Sequence, residues 1–194
     1  TASPELHVYT ISSPSNPVFA GGFEAGNHVN GVYVFEGRAF LATAGSGKQL
    51  IVADVSNPAS IAELGSFETP TAGAPGQAVF YGGGIVHLTT RDNPNELAEY
   101  YLLEASDPTD ISLFGGFNVS SRTNAIEAAI GFSILATEKS GEQLMIVDTA
   151  NPSSLTKAFS LALEGSAHGV ALNGCYAYFV SADDSEEVKA VTPE

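Results

Sequence analysis

The sequence has no tryptophan, one methionine, one cysteine and only seven lysine and arginine residues among 194. A single cysteine excludes a framework of intrachain disulfides. No apolar stretch reaches the roughly 18 residues that a membrane-spanning helix needs, so we expect no membrane insertion within this chain. The scarcity of basic residues excludes nucleic-acid binding, which needs clustered lysine and arginine to displace counterions from phosphates.

Acidic and small polar residues take the place of the missing basic ones. The chain has 22 Asp and Glu, a net charge of -15, and only 15% charged residues, against about 25% in an average soluble domain. Because 44% of the residues are hydrophobic, the chain is expected to fold. This composition favours an exported protein, extracellular or at the cell surface. The first residue is Thr rather than Met, so we expect the chain to be processed or excised from a longer one.

A repeat of about 44 residues organises the sequence. Four apolar runs close on a proline, and a large apolar residue follows each proline by nine positions. The prolines are Pro14, Pro58, Pro108 and Pro152, at intervals of 44, 50 and 44 residues. Upstream of each later run, and once more near the end of the chain, lies a pair of apolar segments interrupted by glycine, which predicts a β-hairpin.

One repeat therefore contains four short strands, which we call a, b, c and d, with strand c ending at the Asn/Asp-Pro turn. Four strands in this length are typical of a β-propeller blade. We predict an all-β fold, a β-propeller of four-stranded antiparallel blades, in a single domain over residues 1–194. The repeats span approximately residues 1–26, 27–73, 74–121, 122–166 and 167–194. The helical-looking stretch NELAEYYLLEA aligns with the c strands, so we predict a strand there.

The segments LIVADVSNP at Leu50–Pro58 and QLMIVDTANP at Gln143–Pro152 resemble the LVIVD repeat of bacterial and archaeal secreted or surface proteins. The resemblance covers nearly the whole chain. It weakens in YYLLEASDP, which lacks the aliphatic pattern and the Asp, and in the last copy, EEVKAVTPE. It implies a propeller-like fold and a cell-surface setting, and it carries no catalytic residues.

The way in which the ring closes is less strongly determined. The N-terminal repeat supplies strands c and d, and the C-terminal one supplies a, b and a degenerate c. We expect about four blades, with one blade shared between the termini and EEVKAVTPE left as a stub outside the ring. A larger propeller of six to eight blades, or strand pairing between subunits, are the alternatives. The residues of the candidate pairing segments are Leu6, Val8, Tyr9, Ile11, Val188 and Val191.

The turns after strand c are interpreted as structural. A carboxylate before an Asn-Pro turn can accept backbone N–H bonds and shape that turn. The residues concerned are Pro14, Asp54, Asn57, Pro58, Asp107, Pro108, Asp148, Asn151 and Pro152. Cys175 lies in an apolar run, NGCYAYFV, and is predicted to be a small buried side chain.

Weak metal-site candidates are few. They comprise two histidines near the starts of a strands and three carboxylates in the loops Arg91–Glu96 and Ala182–Glu187, namely His28, His168, Asp92, Asp183 and Asp184. Neither loop has a defined Ca²⁺-binding spacing, and His28 and His168 occupy different positions of the repeat. We therefore expect no cofactor, with Ca²⁺ as the alternative.

No nucleophile elbow, paired carboxylates or cysteine–histidine pattern points to catalysis, although the sequence does not decide the question. We expect a non-catalytic, extracellular or cell-surface module with structural or protein-interaction function. Its partner is another protein or a copy of itself, and terminal strand pairing would form oligomers or fibres. The alternative is a metal-dependent hydrolase or lyase with its pocket at the mouth of the propeller channel.

Overall fold

The computed structural model describes residues 3–70, 73–92, 98–182 and 187–191, which form seventeen β-strands and one short 3-10 turn at Pro58–Ser60. Sheet 1 contains β1 (Leu6–Thr10) and β2 (Val18–Phe23). Sheet 2 contains β3 (Val29–Phe35), β4 (Arg38–Gly45), β5 (Lys48–Asp54) and β6 (Ala62–Phe67). Sheet 3 contains β7 (Gly76–Gly82), β8 (Ile85–Thr90), β9 (Tyr100–Glu104) and β10 (Ser112–Phe117). Sheet 4 contains β11 (Thr123–Ala129), β12 (Phe132–Thr137), β13 (Leu144–Asp148) and β14 (Thr156–Leu161). Sheet 5 contains β15 (Ala167–Asn173), β16 (Tyr176–Ser181) and β17 (Val188–Val191).

The predicted blade is confirmed in sheets 2, 3 and 4, each of which pairs its four strands antiparallel in chain order. Two-residue turns join strands a and b, as the glycine-interrupted segments predicted. In the first of these turns both Glu36 and Gly37 have positive φ, which is the geometry that matches the twist of a tight hairpin. The stretch that resembled a helix contributes strand β9, as its position in the repeat predicted.

Each complete sheet packs between two neighbours and has two apolar faces. We call the face towards the next sheet the leading face; in sheet 2 it carries Phe40, Ala42 and Leu50, which pack against sheet 3. The opposite face is the trailing face; in sheet 2 it carries Leu41 and Ile51, which pack against sheet 1. Both faces are apolar because the strands are buried on both sides, which also explains why the strands read as continuous apolar runs.

The shared blade that we predicted is wrong in this structure, which has five sheets. Strand β1 pairs with β2, and sheet 1 contains no other strand among the residues that the structure describes. The segment predicted as a stub supplies β17, which pairs with β16 so that Val188 lies opposite Val180 and Val191 opposite Ala177. The physical reason is competition: β1 and β17 are both third strands of their repeats, and β17 occupies the edge of β16 that β1 would need.

A close approach of glycine to proline joins the outer parts of neighbouring sheets. A Cβ atom on Gly65 would lie 1.8 Å from the carbonyl oxygen of Pro108 in the next sheet. The corresponding distances are 1.7 Å from Gly21 to Pro58 and 2.2 Å from Gly115 to Pro152. The Pro turn found in the sequence and a glycine of strand d are thus the two sides of one contact.

A second repeated device holds the end of strand d. Glu99 is buried before β9, and its Oε2 accepts hydrogen bonds from the backbone N–H groups of Val119 at 2.8 Å and Ser120 at 2.9 Å. An acidic or amide side chain does the same in three other sheets, where Glu5 accepts from Ala25, Gln49 from Thr69 and Gln143 from Leu163. Burial raises the pKa of the Glu99 carboxyl, while the two N–H donors act to lower it.

Substitutions of Glu99 should separate the role of the acceptor from that of the charge. We expect Glu99→Ala to lower the free energy of unfolding by about 1–3 kcal/mol, because two buried N–H groups lose their acceptor. Glu99→Gln should cost less than about 1 kcal/mol, because glutamine holds this position in sheets 2 and 4. Urea unfolding of the two variants and the wild type measures both values. Equal losses in both variants would contradict this role.

Candidate functional site

The turns after strand c hold their predicted residues in local hydrogen bonds. Asp54 Oδ1 accepts from the backbone N and Oγ of Ser56 at 2.9 and 2.6 Å, and these bonds lower the pKa of Asp54. Asp148 Oδ1 accepts from the N–H of Ala150 at 2.9 Å. The side chains directly before each proline, three positions later in the repeat, do the same: Asp107 accepts from Thr109, Asn57 from Ala59 and Asn151 from Ser153. Pro14 lies in an exposed segment, because no described sheet precedes sheet 1.

The candidate metal ligands are not brought together in the described part of the chain. Within residues 3–70, 73–92, 98–182 and 187–191, no three His, Cys, Asp or Glu side chains are grouped so that they could hold a metal ion. His168 occupies the bulge of β15, where sheet 2 has Asn30, whereas His28 precedes β3. Asp92 is exposed, and Asp183 and Asp184 lie outside the described residues.

A buried polar trio lies between sheets 3 and 4, and the sequence did not predict it. His87 Nδ1 is 2.8 Å from Tyr100 Oη and 2.9 Å from Ser133 Oγ, and the two hydroxyl oxygens are 2.7 Å apart. The three side chains are at most 6% exposed. Burial lowers the pKa of His87 to about 4, so the imidazole is neutral at pH 7. His87 also borders a cavity of ≈ 370 Å³ between these sheets.

The trio is interpreted as part of the core, because every member is enclosed between two sheets. His87 holds the repeat position of Phe40 in sheet 2 and Ile134 in sheet 4. Aligning the b strands would therefore have shown a polar residue in place of an apolar one. Its partners come from different strands, β9 and β12, and no local pattern connects them.

The leading face of sheet 5 is uncovered. Tyr178 is 38% and Val180 45% exposed, whereas their counterparts in the three preceding sheets are at most 6% exposed. These counterparts are Phe40 and Ala42, His87 and Thr89, and Ile134 and Ala136. Val188 in β17 is 64% exposed, although Leu50, Tyr100 and Leu144 at the same position are fully buried. Sheet 5 thus presents a core surface to solvent.

Complementary surface is exposed at the other end of the chain. On the trailing face of sheet 2, Val32 and Val34 are 53% and 59% exposed, whereas Val79 and Tyr81 at the same positions of sheet 3 are both 8% exposed. The described part of sheet 1 leaves them open because it consists of two strands, equivalent to c and d. Its own trailing face carries Tyr9 and Phe19, whose rings are 5.6 Å apart and about half exposed.

An apolar cavity of ≈ 980 Å³ lies between sheets 4 and 5. Phe159 lines it at the position that glycine occupies in sheets 1, 2 and 3, and no glycine–proline contact is described at this junction. Cys175 also lines the cavity and is exposed, so the prediction that it is buried is wrong. It is the second residue of the two-residue turn between β15 and β16, where the preceding Gly174 has φ +60.

The apolar segments do not cross a membrane as helices in this structure: no helix among the described residues has the length and hydropathy to do so. Most of the exposed large apolar side chains among the described residues belong to sheets 1, 2 and 5 or their flanking turns, whereas Leu113, Phe114, Ile130 and Phe159 belong to sheets 3 and 4.

Comparison with known proteins agrees with this architecture. The LVIVD repeat matches residues 26–69 and 139–162. No curated protein sequence matches the chain. Among solved structures, the chain is similar to the computationally designed proteins Ika4 (TM-score 0.61, 8% identity, 86% of this chain and 91% of that one) and Ika8 (TM-score 0.65, 10% identity, 90% and 49%).

Two natural proteins are also similar. They are BamB from Moraxella catarrhalis (TM-score 0.63, 15% identity, 98% of this chain and 53% of that one) and the β-propeller domain of Cps50 (Swd1) from Myceliophteria thermophila (TM-score 0.69, 11% identity, 97% and 63%). The chain thus spans about half to two thirds of the length of these two and about half of Ika8. At these identities the likeness shows the fold. The chain thus carries LVIVD repeats over residues 26–69 and 139–162, and its sheets and these neighbours show a β-propeller-type fold.

Proposed function

We propose that this chain is a non-catalytic protein-interaction module that binds a sheet of another protein molecule through the leading face of sheet 5. The observation that carries the proposal is the exposure of Tyr178, Val180 and Val188 at positions that are buried in every preceding complete sheet. Complete burial of an exposed side chain of this size contributes about 1.5–3 kcal/mol, and covering these partly exposed side chains contributes a share of that, so a matching apolar face would be bound in preference to water. The proposal requires no cofactor.

We further place this module outside the cell or on its surface. Support comes from the composition, with few lysines and a net charge of -15, and from the family resemblance of the repeat. High net charge limits non-specific association, so binding is restricted to partners that cover the apolar end faces. Among the described residues, the polar groups form local turns and a buried trio and offer no grouped metal ligands that would favour the alternative, a hydrolase or lyase.

Sedimentation velocity at increasing protein concentration tests the proposal, with self-association as the measured interaction. We expect the apparent mass of the wild type to rise above the 20.0 kDa of one chain as the protein concentration increases. Tyr178→Lys should remain monomeric, because the lysine ammonium group would lose its hydration in the contact. The matched control is Leu113→Lys, since Leu113 is similarly exposed (42%) but lies in β10, away from both ends of the array.

Salt provides an independent test of the same contact. Because each chain carries a net charge of -15, two copies repel one another at low ionic strength, and added salt screens this repulsion. We therefore expect association to strengthen between low and physiological ionic strength. Association that weakens with salt, or that is equally reduced by the Tyr178 and Leu113 substitutions, would contradict an apolar contact at sheet 5.

A further inference from the structure

We infer that the segment bound at sheet 5 is the N-terminal hairpin β1–β2 of a second copy of this chain, with β1 replacing β17 beside β16. The inference rests on the proposed function, because it names the occupant of the same surface. It is drawn from three sets of uncovered apolar residues, which one arrangement buries together.

The first set lies where strands a and b are missing from sheet 1. In the complete sheets, the b-strand residues on a leading face pack against the a strand of the following sheet; Ile134 and Ala136, for example, share a core with Val170 and Leu172. Tyr178 and Val180 hold the same b-strand positions in sheet 5, and they are exposed because no a strand is described against them. Val32 and Val34 are the a-strand residues that lack a preceding leading face. The leading face of sheet 5 and the a strand of sheet 2 therefore correspond to the pairs of surfaces that pack together between neighbouring sheets inside the chain.

The second set lies beside the outer edge of sheet 5, in which three strands are described. If β1 and β2 became the third and fourth strands of that sheet, Tyr9 and Phe19 would face the outer part of sheet 4. That part of sheet 4 carries Phe159, which is 48% exposed, and borders the cavity of ≈ 980 Å³. An aromatic pair would thus fill a space that is bordered by an exposed aromatic side chain.

The bulge residue of each first strand also supports contact with a following sheet. The bulge residues Asn30 and Asn124 each donate through Nδ2 to a carbonyl oxygen at the start of the next sheet's first strand, Gly76 at 2.7 Å and Ala167 at 2.8 Å. His168 occupies this bulge in sheet 5 and is exposed. In the proposed contact, the residue equivalent to Gly76 is Val29 of the second copy, at the start of β3.

We choose a second copy as the occupant because this same chain exposes both a leading face and the trailing face that would fit it. Val32 and Val34 at one end and Tyr178 and Val180 at the other are all exposed in the same molecule. In the described residues, the edge of β16 is paired with β17, over Ala177–Val180. Exchange of this strand for the five-residue β1 would join copies head to tail, and such contacts form rings or filaments according to their angle.

The repeat also specifies the register of the new pair. Phe40 lies opposite Val52 in sheet 2, and Ile134 lies opposite Ile146 in sheet 4. The residues at these positions in the terminal repeats are Tyr178 in β16 and Val8 in β1, so Val8 of one copy should lie opposite Tyr178 of the next. Directly opposed residues of antiparallel strands have Cα atoms about 4.5–5.5 Å apart, which permits a disulfide.

Disulfide trapping between two singly substituted chains tests this register. Val8→Cys and Tyr178→Cys chains, both also carrying Cys175→Ser, are mixed under mild oxidation, and the disulfide-linked species are separated by mass. We expect a disulfide-linked dimer of one chain of each kind. His7→Cys in place of Val8→Cys is the matched control; it should give several-fold less, because neighbouring residues of a strand point to opposite faces.

The outcomes separate this inference from the proposed function. If the wild type associates through Tyr178 but the Val8–Tyr178 disulfide does not form, or forms no better than with His7→Cys, the hairpin is not the occupant and only this inference is overturned. If a chain with both cysteines forms an intrachain disulfide and stays at 20.0 kDa, the ring closes within one chain and the second copy is excluded. If the wild type is monomeric at every concentration, both proposals fail.

Discussion

Replacing Gly65 by valine is expected to lower the free energy of unfolding by about 3 kcal/mol or more, a large effect for a partly exposed strand residue. The added Cβ would lie 1.8 Å from the carbonyl oxygen of Pro108, and this neighbour is backbone, which cannot rotate away. Sheets 2 and 3 would have to separate locally. Overpacking of this kind typically costs about 1–3 kcal/mol, and here the loss of contacts between the sheets adds to it.

Ala62→Val in the same strand is the matched control. Ala62 is exposed, so the same side chain placed there should change the free energy of unfolding by no more than about 0.5 kcal/mol. Urea unfolding monitored by circular dichroism compares the two variants with the wild type. If Gly65→Val is as stable as Ala62→Val, the glycine–proline contact does not determine the spacing of the sheets.

Acidification from pH 7 to pH 4 is expected to destabilise the wild type through His87 by about 3 kcal/mol. The folded pKa of His87 is lowered to about 4 by burial, below the ordinary value of 6.5 that holds in the unfolded chain. The unfolded state therefore binds the proton more tightly, and stability that is fully present above pH 6.5 is lost as the pH falls towards 4. One pKa unit corresponds to about 1.4 kcal/mol, so about 2 kcal/mol of the loss occurs by pH 5.

Comparison with His87→Phe isolates this contribution from that of the carboxylates. Asp54, Asp107 and Glu142 also have lowered pKa values and lose stabilising interactions in acid, but they are present in both proteins. Phenylalanine holds this position in sheet 2, and Tyr100 and Ser133 can still bond to one another. The stability difference between wild type and variant should thus shift by about 3 kcal/mol, in favour of the variant, between pH 7 and pH 4. A constant difference would contradict the buried, neutral state of His87.

The fold was predictable because the repeat places the same few signals at the same spacing. A two-residue turn such as Glu36-Gly37 identifies a hairpin by local chemistry, and the Pro turn aligns the c strands even where the apolar pattern fails, as in Tyr100–Glu104. Cys175 shows the limit of this reasoning. The apolar run around it predicted a buried strand residue, but Gly174 and Cys175 form the turn between two strands and Cys175 is exposed.

Chain closure and the buried trio could not be predicted, for different reasons. Strands β1 and β17 have the same position in the repeat, so pattern alone does not decide which of them pairs with β16. The trio depends on side chains from three strands in two sheets, and His87 was visible only as a histidine in a b strand. The backbone acceptors Gln49, Glu99 and Gln143 were available from the repeat alignment, where each immediately precedes the apolar run of strand c.

The central claim, that the leading face of sheet 5 is an interaction surface, is tested most directly by tryptophan fluorescence. The chain has no tryptophan, so Tyr178→Trp introduces a single reporter at the centre of this face. With increasing protein concentration, its emission should shift to shorter wavelength and become protected from a soluble quencher, while Leu113→Trp, at a similarly exposed position, should not change. Emission from Trp at position 178 that stays solvent-exposed at every concentration, or that shifts together with the control, would contradict the account.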